Sequence, residues 1–509
     1  MREECWIRKL KKEKCIIIYG AGMVGALVYN RLDANGLGER VVCFAVSERP
    51  DKEKYLGKPV WPIDRLKRFQ KRALVIVATL PALHGAILKN LEKYSFTRVS
   101  AITKALFYEL NKNYINRFKE CEGNKKRDID IAFMASDNNR VSGAFLCLVD
   151  LTMELKKRGI ASIVILPEYG DGEGLLQERG IDYTYIRSEH WCIYEGERRL
   201  AKYWRLCGNF RAVREMRRLI RERGIRLVHN NTTYTYVGAI AAQREGVPFV
   251  WHVREYIRNQ KYSFADKKYA AKWMNRAARI ITVSAYMLRW LRYIDQRKIK
   301  VLHDGVDTDQ FYSKRPILQD SRQVVITLVG TVIAHKRQEE LLEAANILKE
   351  KMEKGFRIRF VGKEEGHYLE KLKRTIKRYQ LQDYVCFLGQ KSNVADFFQE
   401  SDIAVICSKA EAFGRVTVEA QLAGCVVIGA DAGATAELVR NGETGLLYQA
   451  GNVRELAEQI LYVAGHAQEA REIARRGQEY AKRAYSKVRN ADETLRVYEE
   501  VWKTHGYRQ

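Results

Sequence analysis

Proline is scarce in this sequence, and its cysteines form no recognisable pair or cluster. Only 7 of the 509 residues are proline, and none follows Pro316, so the last third of the chain takes its turns from glycine and asparagine. The 10 cysteines are scattered singly, without a CxxC motif or a Cys/His group at zinc-finger spacing. This pattern argues against a disulfide framework and a zinc module, and it favours buried free thiols in a reducing compartment.

Long apolar runs are also missing. No stretch of about 18 residues is both apolar and free of charge, so we expect no transmembrane helix. The opening segment Met1-Arg-Glu-Glu-Cys5 is not followed by an apolar core, so we expect no signal peptide. These features predict a cytoplasmic protein, and any work at the cell membrane is expected on its inner face.

Acidic residues are outnumbered by basic ones. The chain has 62 Asp and Glu against 89 Lys and Arg, which gives a net charge of +27. With 46% apolar and 30% charged residues, the composition is otherwise that of a globular protein and not of a disordered or fibrous one. The excess charge indicates an anionic partner, and its sign alone does not choose among nucleic acid, acidic lipid and a phosphorylated substrate.

Strand-like apolar runs alternate with helical patterns along the whole chain. Such alternation is typical of parallel sheets covered by helices, so the predicted fold class is α/β. A usual domain size of about 150 residues gives roughly three domains. The predicted division is a small Rossmann-like domain, a polar linker, two larger α/β domains and a final helix, at residues 1–108, 109–127, 128–310, 311–490 and 491–509. We expect the polar linker to act as a tether that leaves the first domain separable from the tandem pair.

The first predicted strand runs into the glycine-rich turn Gly20-x-Gly22-x-x-Gly25, which opens a helix. In that context, backbone N–H groups hold the phosphates of a dinucleotide, and Glu48 at the end of the second strand is placed to meet a ribose. The unit resembles small Rossmann-like domains found ahead of sugar-modifying enzymes. A dinucleotide or a nucleotide sugar is therefore one expected ligand, and a structural or partner-docking role is the alternative.

A second loop with chemical potential follows the fourth predicted strand of the third unit. Glu411 and Glu419 flank Gly414, after which a helix can open near Thr417. A helix N-terminus binds phosphate, and carboxylates accept hydrogen bonds from sugar hydroxyls. One loop thus offers both halves of a site for a nucleotide sugar, although Glu residues eight apart occur by chance and mean little alone.

With its neighbouring motifs, this loop resembles that of retaining glycosyltransferases of family 4, which have the GT-B fold of two Rossmann-like domains. The resemblance covers about residues 128–505 and places six motifs in the family's order. These are Arg140-Val-Ser-Gly143, Trp251-His252, His303-Asp-Gly305-Val-Asp307, Gly330-Thr-Val-Ile-Ala-His-Lys336, Glu411-Ala-Phe-Gly-Arg415 with Glu419, and Ala432–Gly445. It implies a GT-B pair preceded by an extra Rossmann-like domain.

The resemblance implies a role for each matching residue. On the donor side, the backbone of Phe413, Gly414 and Arg415 would bind the phosphates, and Lys336 would pair with the diphosphate. Glu411 would contact the hexose, and Glu419 would bind the ribose. Gly330 and Thr331 would also contact the donor. On the acceptor side, Ser142 and Gly143 would let substrate approach the backbone, and His252 would lie near the transferring sugar. His252, Lys336 and Glu411 are thus the expected catalytic residues.

Simpler interpretations of three of these residues stay open. His252 also fits a core-edge histidine, Lys336 fits a solvated lysine at a helix N-terminus, and Glu255 fits an ion pair with its neighbour Arg254. The family usually has arginine at the position of Thr331, so one charge partner of the diphosphate is missing, and Arg337 and Arg415 are the candidates to replace it.

We expect no metal and no cofactor for the transfer itself. Asp307-Thr-Asp309 has the DxD spacing of metal sites in another glycosyltransferase fold, but it lies in the interdomain connector. Cations and helix-end N–H groups can instead stabilise the diphosphate that leaves when the anomeric bond breaks.

Basic residues concentrate between Arg198 and Arg226, where Lys and Arg far outnumber the two Glu. Leu206, Phe210, Val213, Met216 and Ile220 follow helical spacing, which predicts an amphipathic helix with a basic outer face. Its apolar stripe is expected in the core, and its basic face either is simply solvated or attracts anionic lipid. A second basic and aromatic stretch, 261–273, favours the membrane surface.

The sequence therefore predicts a peripheral, cytoplasmic glycosyltransferase. It would move a hexose-type sugar, with retention, from a UDP- or GDP-type donor to a lipid-linked or saccharide acceptor of cell-surface polysaccharide synthesis. One alternative is an NAD-dependent oxidoreductase working through Gly20–Gly25. The other is a nucleic-acid-binding protein, but only the net charge favours it and no helix-turn-helix, zinc-finger or RNP-like motif supports it, so we expect no nucleic-acid partner.

Overall fold

The computed structural model describes residues 3–47, 50, 53–79, 83–122, 128–194, 208–255, 262–315, 317–318, 323–353, 355–364, 366–391 and 393–507. They form three α/β domains, which we call the N-terminal domain (3–122), the middle domain (128–306) and the C-terminal domain (307–486). Each is built around its own largely parallel sheet. The predicted fold class is confirmed.

The described part of the N-terminal domain has a sheet of order β3-β4-β2-β1-β5-β6, in which only the β3–β4 pair is antiparallel. Its strands are β1 (Ile16–Tyr19), β2 (Val41–Val46), β3 (Lys54–Tyr55), β4 (Lys58–Pro62), β5 (Leu74–Val77) and β6 (Val99–Ala101). Its helices are α1 (Glu3–Leu10), α2 (Met23–Asp33), α3 (His84–Lys93) and α4 (Lys104–Glu122). The central strand β1 is buried on both faces, which is why it reads as an unbroken apolar run.

Helix α1 belongs to this domain, because it buries Trp6, Ile7 and Leu10 in the domain's core. The predicted border at the other end of the domain falls inside a helix. The segment 109–127 is not a tether over its described residues, because α4 runs through the predicted border at 108. Ile115 of α4 is buried in an apolar cluster of the middle domain, so the helix joins the two domains rigidly.

The described part of the middle domain has a parallel sheet of order β15-β14-β12-β11-β7-β8-β9 and a small antiparallel pair, β10–β13. Its strands are β7 (Ile131–Met134), β8 (Ser162–Leu166), β9 (Tyr183–Tyr185), β10 (Cys192–Tyr194), β11 (Leu227–Asn230), β12 (Phe249–Val253), β13 (Tyr262–Phe264), β14 (Arg279–Thr282) and β15 (Ile299–Val301). Its helices are α5 (Gly143–Lys157), α6 (Gly172–Glu178), α7 (Phe210–Glu222), α8 (Val237–Glu245) and α9 (Lys267–Met274).

The described part of the C-terminal domain has a parallel sheet of order β18-β17-β16-β19-β20-β21, which is the strand order of a Rossmann fold. Its strands are β16 (Val324–Val329), β17 (Phe356–Val361), β18 (Val385–Phe387), β19 (Ile403–Ile406), β20 (Val426–Ala430) and β21 (Leu446–Tyr448). Its helices are α10 (Thr308–Phe311), α11 (Gln338–Lys351), α12 (Gly366–Arg378), α13 (Val394–Gln399), α14 (Arg415–Leu422), α15 (Thr435–Leu438), α16 (Val453–Gly465) and α17 (Ala467–Ala484).

The last helix, α18 (Lys487–Thr504), returns to the middle domain. Tyr498, Val501 and Trp502 are buried in the cluster formed with α5 and β7, and the Tyr498 hydroxyl is 2.6 Å from Nδ1 of His229. The predicted borders at 310/311 and 490/491 therefore fall inside α10 and α18. This crossover packs the chain's end against the domain that carries the predicted acceptor loop.

Candidate active site in the interdomain cleft

A cleft of about 1160 Å³ lies between the middle and C-terminal domains. Loops that follow β7, β11 and β12 form one wall, and loops that follow β16 and β19 form the other. The residues at its wall include Ser136, Asp137, Ser142, Gly143, Thr232, Arg254, Glu255, Lys336 and 410–417. These are the carboxyl ends of parallel strands, where open α/β sheets bind their ligands.

The donor-side wall is built around Gly414. This residue has φ of 95°, a backbone conformation that favours glycine, and it caps the start of α14. The Glu411 carbonyl accepts a hydrogen bond of 3.0 Å from the Ala434 N–H of the second glycine-rich turn. Phe413, Gly414 and Arg415 therefore bring a helix N-terminus to the cleft, as the sequence predicted.

Lys336 and Glu411 form an ion pair in this wall. Lys336 ends the short helix Ala334–Lys336 after β16, and its Nζ lies 2.5 Å from Oε1 of Glu411. Burial alone would raise the pKa of Glu411, but the Lys336 charge and hydrogen bond outweigh it and lower that pKa. The lysine is thus held in the cleft by a partner with which an incoming diphosphate would compete.

Gly330 and Thr331 lie behind Lys336 and are not among the cleft-lining residues. A side chain at Gly330 would lie 3.3 Å from a methylene carbon of Lys336, so glycine leaves room for the lysine stem. The Thr331 carbonyl accepts a hydrogen bond of 3.0 Å from Nε2 of Gln338. Both residues shape the loop that presents Lys336.

Glu419 is held by Arg415, which also reaches the middle domain. Nε of Arg415 lies 3.3 Å from the Glu419 carboxylate, and its Nη1 lies 3.0 Å from both the Gly305 carbonyl and Sγ of Cys147. Burial raises the pKa of Glu419, although Arg415 opposes the shift. The predicted ribose-binding carboxylate thus sits beside a side chain that joins the two domains.

The two arginines expected to replace the charge missing at Thr331 lie in different places. Arg415 lines the cleft and has the partners just described. Arg337 forms an ion pair with the buried Glu340 and is not among the cleft-lining residues. Of the two, Arg415 is therefore the one that the structure brings to the cleft.

His252 does not line the cleft. It points from β12 into the sheet interior, is fully buried, and receives a 3.1 Å contact at Nδ1 from Nη2 of Arg254. Burial, with the nearby Arg254 charge, lowers its pKa well below the ordinary value, so the ring is neutral. Arg254 and Glu255 reach the cleft instead, and the predicted place of His252 at the transferring sugar is corrected to one beneath the wall.

The expected ion pair between Arg254 and Glu255 is also wrong. Arg254 pairs with Asp304 of the connector, whereas Glu255 accepts hydrogen bonds from the N–H and hydroxyl of Thr233. Burial raises the pKa of Glu255 to about 7 against the effect of those hydrogen bonds. Because Glu255 faces the cleft, this carboxyl is a titratable group in the site that sequence reasoning missed.

We expect Glu255→Gln to change how stability depends on pH. A carboxyl with a pKa of about 7 in the folded chain and about 4.3 in the unfolded chain stabilises the fold below pH 4, and this contribution is lost as pH rises through 7. The variant should therefore gain roughly 2–3 kcal/mol over wild type between pH 5 and 8. Urea unfolding of both proteins at the two pH values measures this, and parallel pH profiles would contradict it.

On the acceptor side, Ser142 and Gly143 open α5 at the cleft. The Ser142 hydroxyl donates a hydrogen bond of 3.1 Å to Oδ2 of Asp137, and burial raises the pKa of that carboxyl. A side chain on Gly143 would contact Cδ of Arg415 at 3.9 Å. Ser142 and Gly143, which the sequence predicted, both lie where the two domains meet. Asp137 is a further residue of this wall that the sequence did not single out.

The glycine motif of the N-terminal domain has the expected turn. Gly20 follows β1 with φ of 118°, and a side chain at Gly25 would lie 2.0 Å from the Gly20 carbonyl oxygen, so both glycines are required by packing. Gly22 faces open space at the start of α2, as an approaching phosphate needs. Glu48 lies outside the described residues, and so do 195–207 and 256–261 of the two predicted basic stretches.

The DxD sequence has a structural use. Asp307 caps α10 through the Asp309 N–H at 3.1 Å and pairs with Lys487 at 2.5 Å. Within the described ranges, no group of three or more His, Cys, Asp or Glu side chains is arranged to hold a metal ion. Among the same residues, no helix is long and apolar enough to span a membrane.

Two family models match this chain, one over each of the two domains that form the cleft. The Glycosyltransferase Family 4 model matches residues 141–310, and the Glycosyl transferases group 1 model matches residues 309–482. The chain is 28% identical over 286 residues to a D-inositol 3-phosphate glycosyltransferase of Rhodococcus erythropolis, covering 52% of this chain and 64% of that one. It is 25% identical over 213 residues to an N-acetyl-alpha-D-glucosaminyl L-malate synthase of Bacillus anthracis, covering 40% and 54%. The matches thus span less than two thirds of these relatives.

Solved structures share the fold. Anabaena Alr3699/HepE in complex with UDP-glucose superposes with a TM-score of 0.61 at 23% identity, over 73% of this chain and 100% of that one. Sucrose-phosphate synthase of Thermosynechococcus elongatus gives a TM-score of 0.59 at 16% identity, over 74% and 100%. Both family models begin after the N-terminal domain.

Proposed function

The chain belongs to the family 4 glycosyltransferases, with the GT-B fold, and from that membership we propose that it transfers a hexose-type sugar from a nucleotide diphosphate to a hydroxyl acceptor. The observation that carries the proposal is the donor wall, where the Lys336–Glu411 ion pair lies in the cleft beside the helix N-terminus at Phe413–Arg415. Glu419, one turn into the same helix, pairs with Arg415 and is not among the cleft-lining residues. The donor is of the UDP or GDP type. The structure of HepE with UDP-glucose supports a nucleotide sugar.

The proposed chemistry is stabilisation of the leaving group. The anomeric C–O bond to the diphosphate breaks, the acceptor oxygen forms the new bond on the same face, and the acceptor proton passes to the departing diphosphate. Negative charge grows on that diphosphate, so Lys336 and the N–H groups at Phe413–Arg415 act most strongly in the transition state. Glu411 orients Lys336 and accepts hydrogen bonds from the hexose hydroxyls.

The proposed acceptor is lipid-linked or a saccharide, and the proposed place is the inner face of the cell membrane. The basic face of α7 supports this, since Arg211, Arg214, Arg218 and Arg221 are all exposed, whereas Val213, Met216 and Ile220 are buried. The predicted amphipathic helix is confirmed over its described residues, except that Phe210 is 68% exposed instead of joining the core. An exposed aromatic beside basic residues suits a membrane interface.

For the N-terminal domain we retain the proposal of a bound dinucleotide or nucleotide sugar, supported by the open space at Gly22. Gly20 and Gly25 would bring the backbone close to its phosphates. We do not carry the oxidoreductase or nucleic-acid alternatives further, because the family models cover the two domains that hold the cleft.

The proposed function is tested by a hydrolysis screen of UDP- and GDP-linked hexoses with the purified full chain, followed by transfer to candidate acceptors. One donor should be hydrolysed at a rate that depends on the cleft residues. Hydrolysis of none of them, together with no binding of UDP or GDP, would refute the proposal.

Glu419→Ala should weaken binding of the donor nucleotide by about 1–3 kcal/mol, the usual effect of losing a charged hydrogen-bond acceptor. Isothermal titration with UDP and GDP measures a fall of roughly 5- to 150-fold. Glu443→Ala is the matched control, because Glu443 is 52% exposed and pairs only with Arg440 in the second glycine-rich turn. Equal affinity in wild type and Glu419→Ala would remove Glu419 from the site.

A further inference from the structure

A tyrosine of the middle domain lies in the core of the N-terminal domain. Tyr169, in the turn between β8 and α6, is only 5% exposed and packs in the apolar cluster that contains Trp6, Leu106 and Leu110. Its ring lies 4.4 Å, centroid to centroid, from that of Tyr114 on α4. The N-terminal domain therefore completes its core with a residue from its neighbour.

Hydrogen bonds fix this turn to two elements of the N-terminal domain. Asn30 of α2 donates to the Tyr169 hydroxyl at 3.2 Å, and the Tyr169 N–H donates to Oδ1 of Asn111 on α4 at 3.1 Å. The Tyr114 hydroxyl donates to Oε1 of Glu173 at 2.7 Å. Residues 169–173 are thus held from the N-terminal side at both the backbone and the side chains.

The same turn holds the acceptor-side loop 136–143 from below. Nδ2 of Asn138 donates to the Glu168 carbonyl at 3.0 Å, and the Arg140 N–H donates to Oδ1 of Asp171 at 3.0 Å. A side chain on Gly170 would lie 1.8 Å from the Asn138 carbonyl oxygen, so the two backbones are in close contact. Asp137 and Ser142 of this loop line the cleft.

We infer that the N-terminal domain is a positioning element of the transferase, which fixes the acceptor-side wall of the cleft through Tyr169 and Asn138. The assignment of this wall to the acceptor rests on the proposed function, whereas the contacts that join the N-terminal domain to the wall do not. Two steps join the cores: Tyr169 anchors the turn 168–173, and the turn anchors the loop 136–143. Since α2 also begins at Gly22, a ligand at the glycine motif would act on the same helix that carries Asn30.

The test compares Tyr169→Ala, Tyr169→Phe and Tyr108→Ala with wild type in the full chain. Tyr108 of α4 is the matched control, because it is a tyrosine at the same contact between the two domains, but it is 52% exposed and its ring stacks on Arg187 at the surface. Hydrogen exchange is read at the loop 136–143 and at the donor loop 408–417, and UDP affinity is measured by titration. None of these measurements requires turnover, so their failure is separate from failure of the proposed function.

Tyr169→Ala should speed exchange of loop 136–143 at least tenfold while exchange at 408–417 and the UDP Kd change less than twofold. Tyr169→Phe, which keeps the ring, should restore most of the protection, and Tyr108→Ala should behave as wild type. With an acceptor from the screen, Tyr169→Ala should raise KM for the acceptor more than KM for the donor. Unchanged exchange at 136–143 would overturn the inference, and so would equal acceleration throughout the middle and C-terminal domains.

Discussion

Replacing Lys336 with alanine should lower kcat for donor hydrolysis and transfer by two to three orders of magnitude while weakening UDP binding much less. Its ammonium group lies in the cleft wall beside Glu411 at 2.5 Å, where, in the proposed reaction, charge develops on the diphosphate as the anomeric bond breaks. Removal of one preorganised group that stabilises such charge typically lowers kcat about 10²- to 10³-fold. Steady-state kinetics on the best donor, with UDP titration alongside, separates the two effects.

Lys409→Ala is the matched control for this prediction. Lys409 lies in the neighbouring loop 408–417, whose backbone bonds to His335, but its side chain is exposed and it is not among the cleft-lining residues. Its variant should keep wild-type kcat. A Lys336→Ala enzyme with unchanged kcat/KM would show that the diphosphate is not bound at this wall, and Glu411→Gln would then be expected to be equally silent.

Central strands were the most predictable part of the fold. Ile16–Tyr19, Val324–Val329 and Val426–Ala430 are each nearly or fully buried, so their sequences are almost entirely apolar and stand out without an alignment. The short strands β3, β9 and β21, at the edges of their sheets, are much less evident in the sequence. Their few residues carry no periodicity long enough to distinguish them from loops.

The role of α4 could not be read from its sequence. Its polar residues suggested a linker, yet Leu110 and Ile115 are buried because apolar surfaces of two different domains cover them. Part of that cover comes from Tyr169, which is more than fifty residues away in the chain. A tertiary contact of this kind leaves no signal in the local sequence. For this reason the segment was expected to be a tether, although it packs against both domains.

The candidate site divides in the same way. Glu411, Phe413, Gly414 and Glu419 lie close together in the sequence, so one loop and one resemblance were enough to find them. The opposite wall is assembled from Asp137, Thr232 and Glu255, which follow three different strands. His252 and Arg254 are two residues apart, so strand alternation puts their side chains on the same side of β12. His252 is nevertheless buried in the interior, whereas Arg254 lines the cleft. The sequence alone does not give this difference in burial.

Reversing charge on the exposed face of α7 should release the protein from anionic vesicles. Arg211 and Arg218 are 80% and 72% exposed, and Arg214 and Arg221 complete the same face. Each basic residue near such a surface contributes about 1 kcal/mol, so replacing all four by glutamate should reduce partitioning more than a hundredfold. The pairs with Glu215, Glu222 and Glu245 neutralise part of this face but leave Arg214 available to lipid phosphates.

The control is another basic amphipathic helix. Helix α12 exposes Lys373, Arg374, Lys377 and Arg378 on the C-terminal domain, so the same reversal there changes net charge equally while leaving α7 intact. Co-sedimentation with phosphatidylserine vesicles should show loss of binding for the α7 variant only, and wild-type binding should fall with salt because the attraction is screened beyond about 10 Å at 0.1 M. Transfer to a soluble acceptor should persist in both variants, since neither helix lines the cleft. Equal loss in the two variants would mean that net charge, and not this helix, brings the protein to the membrane, and wild-type protein that never sediments would leave the basic face simply solvated.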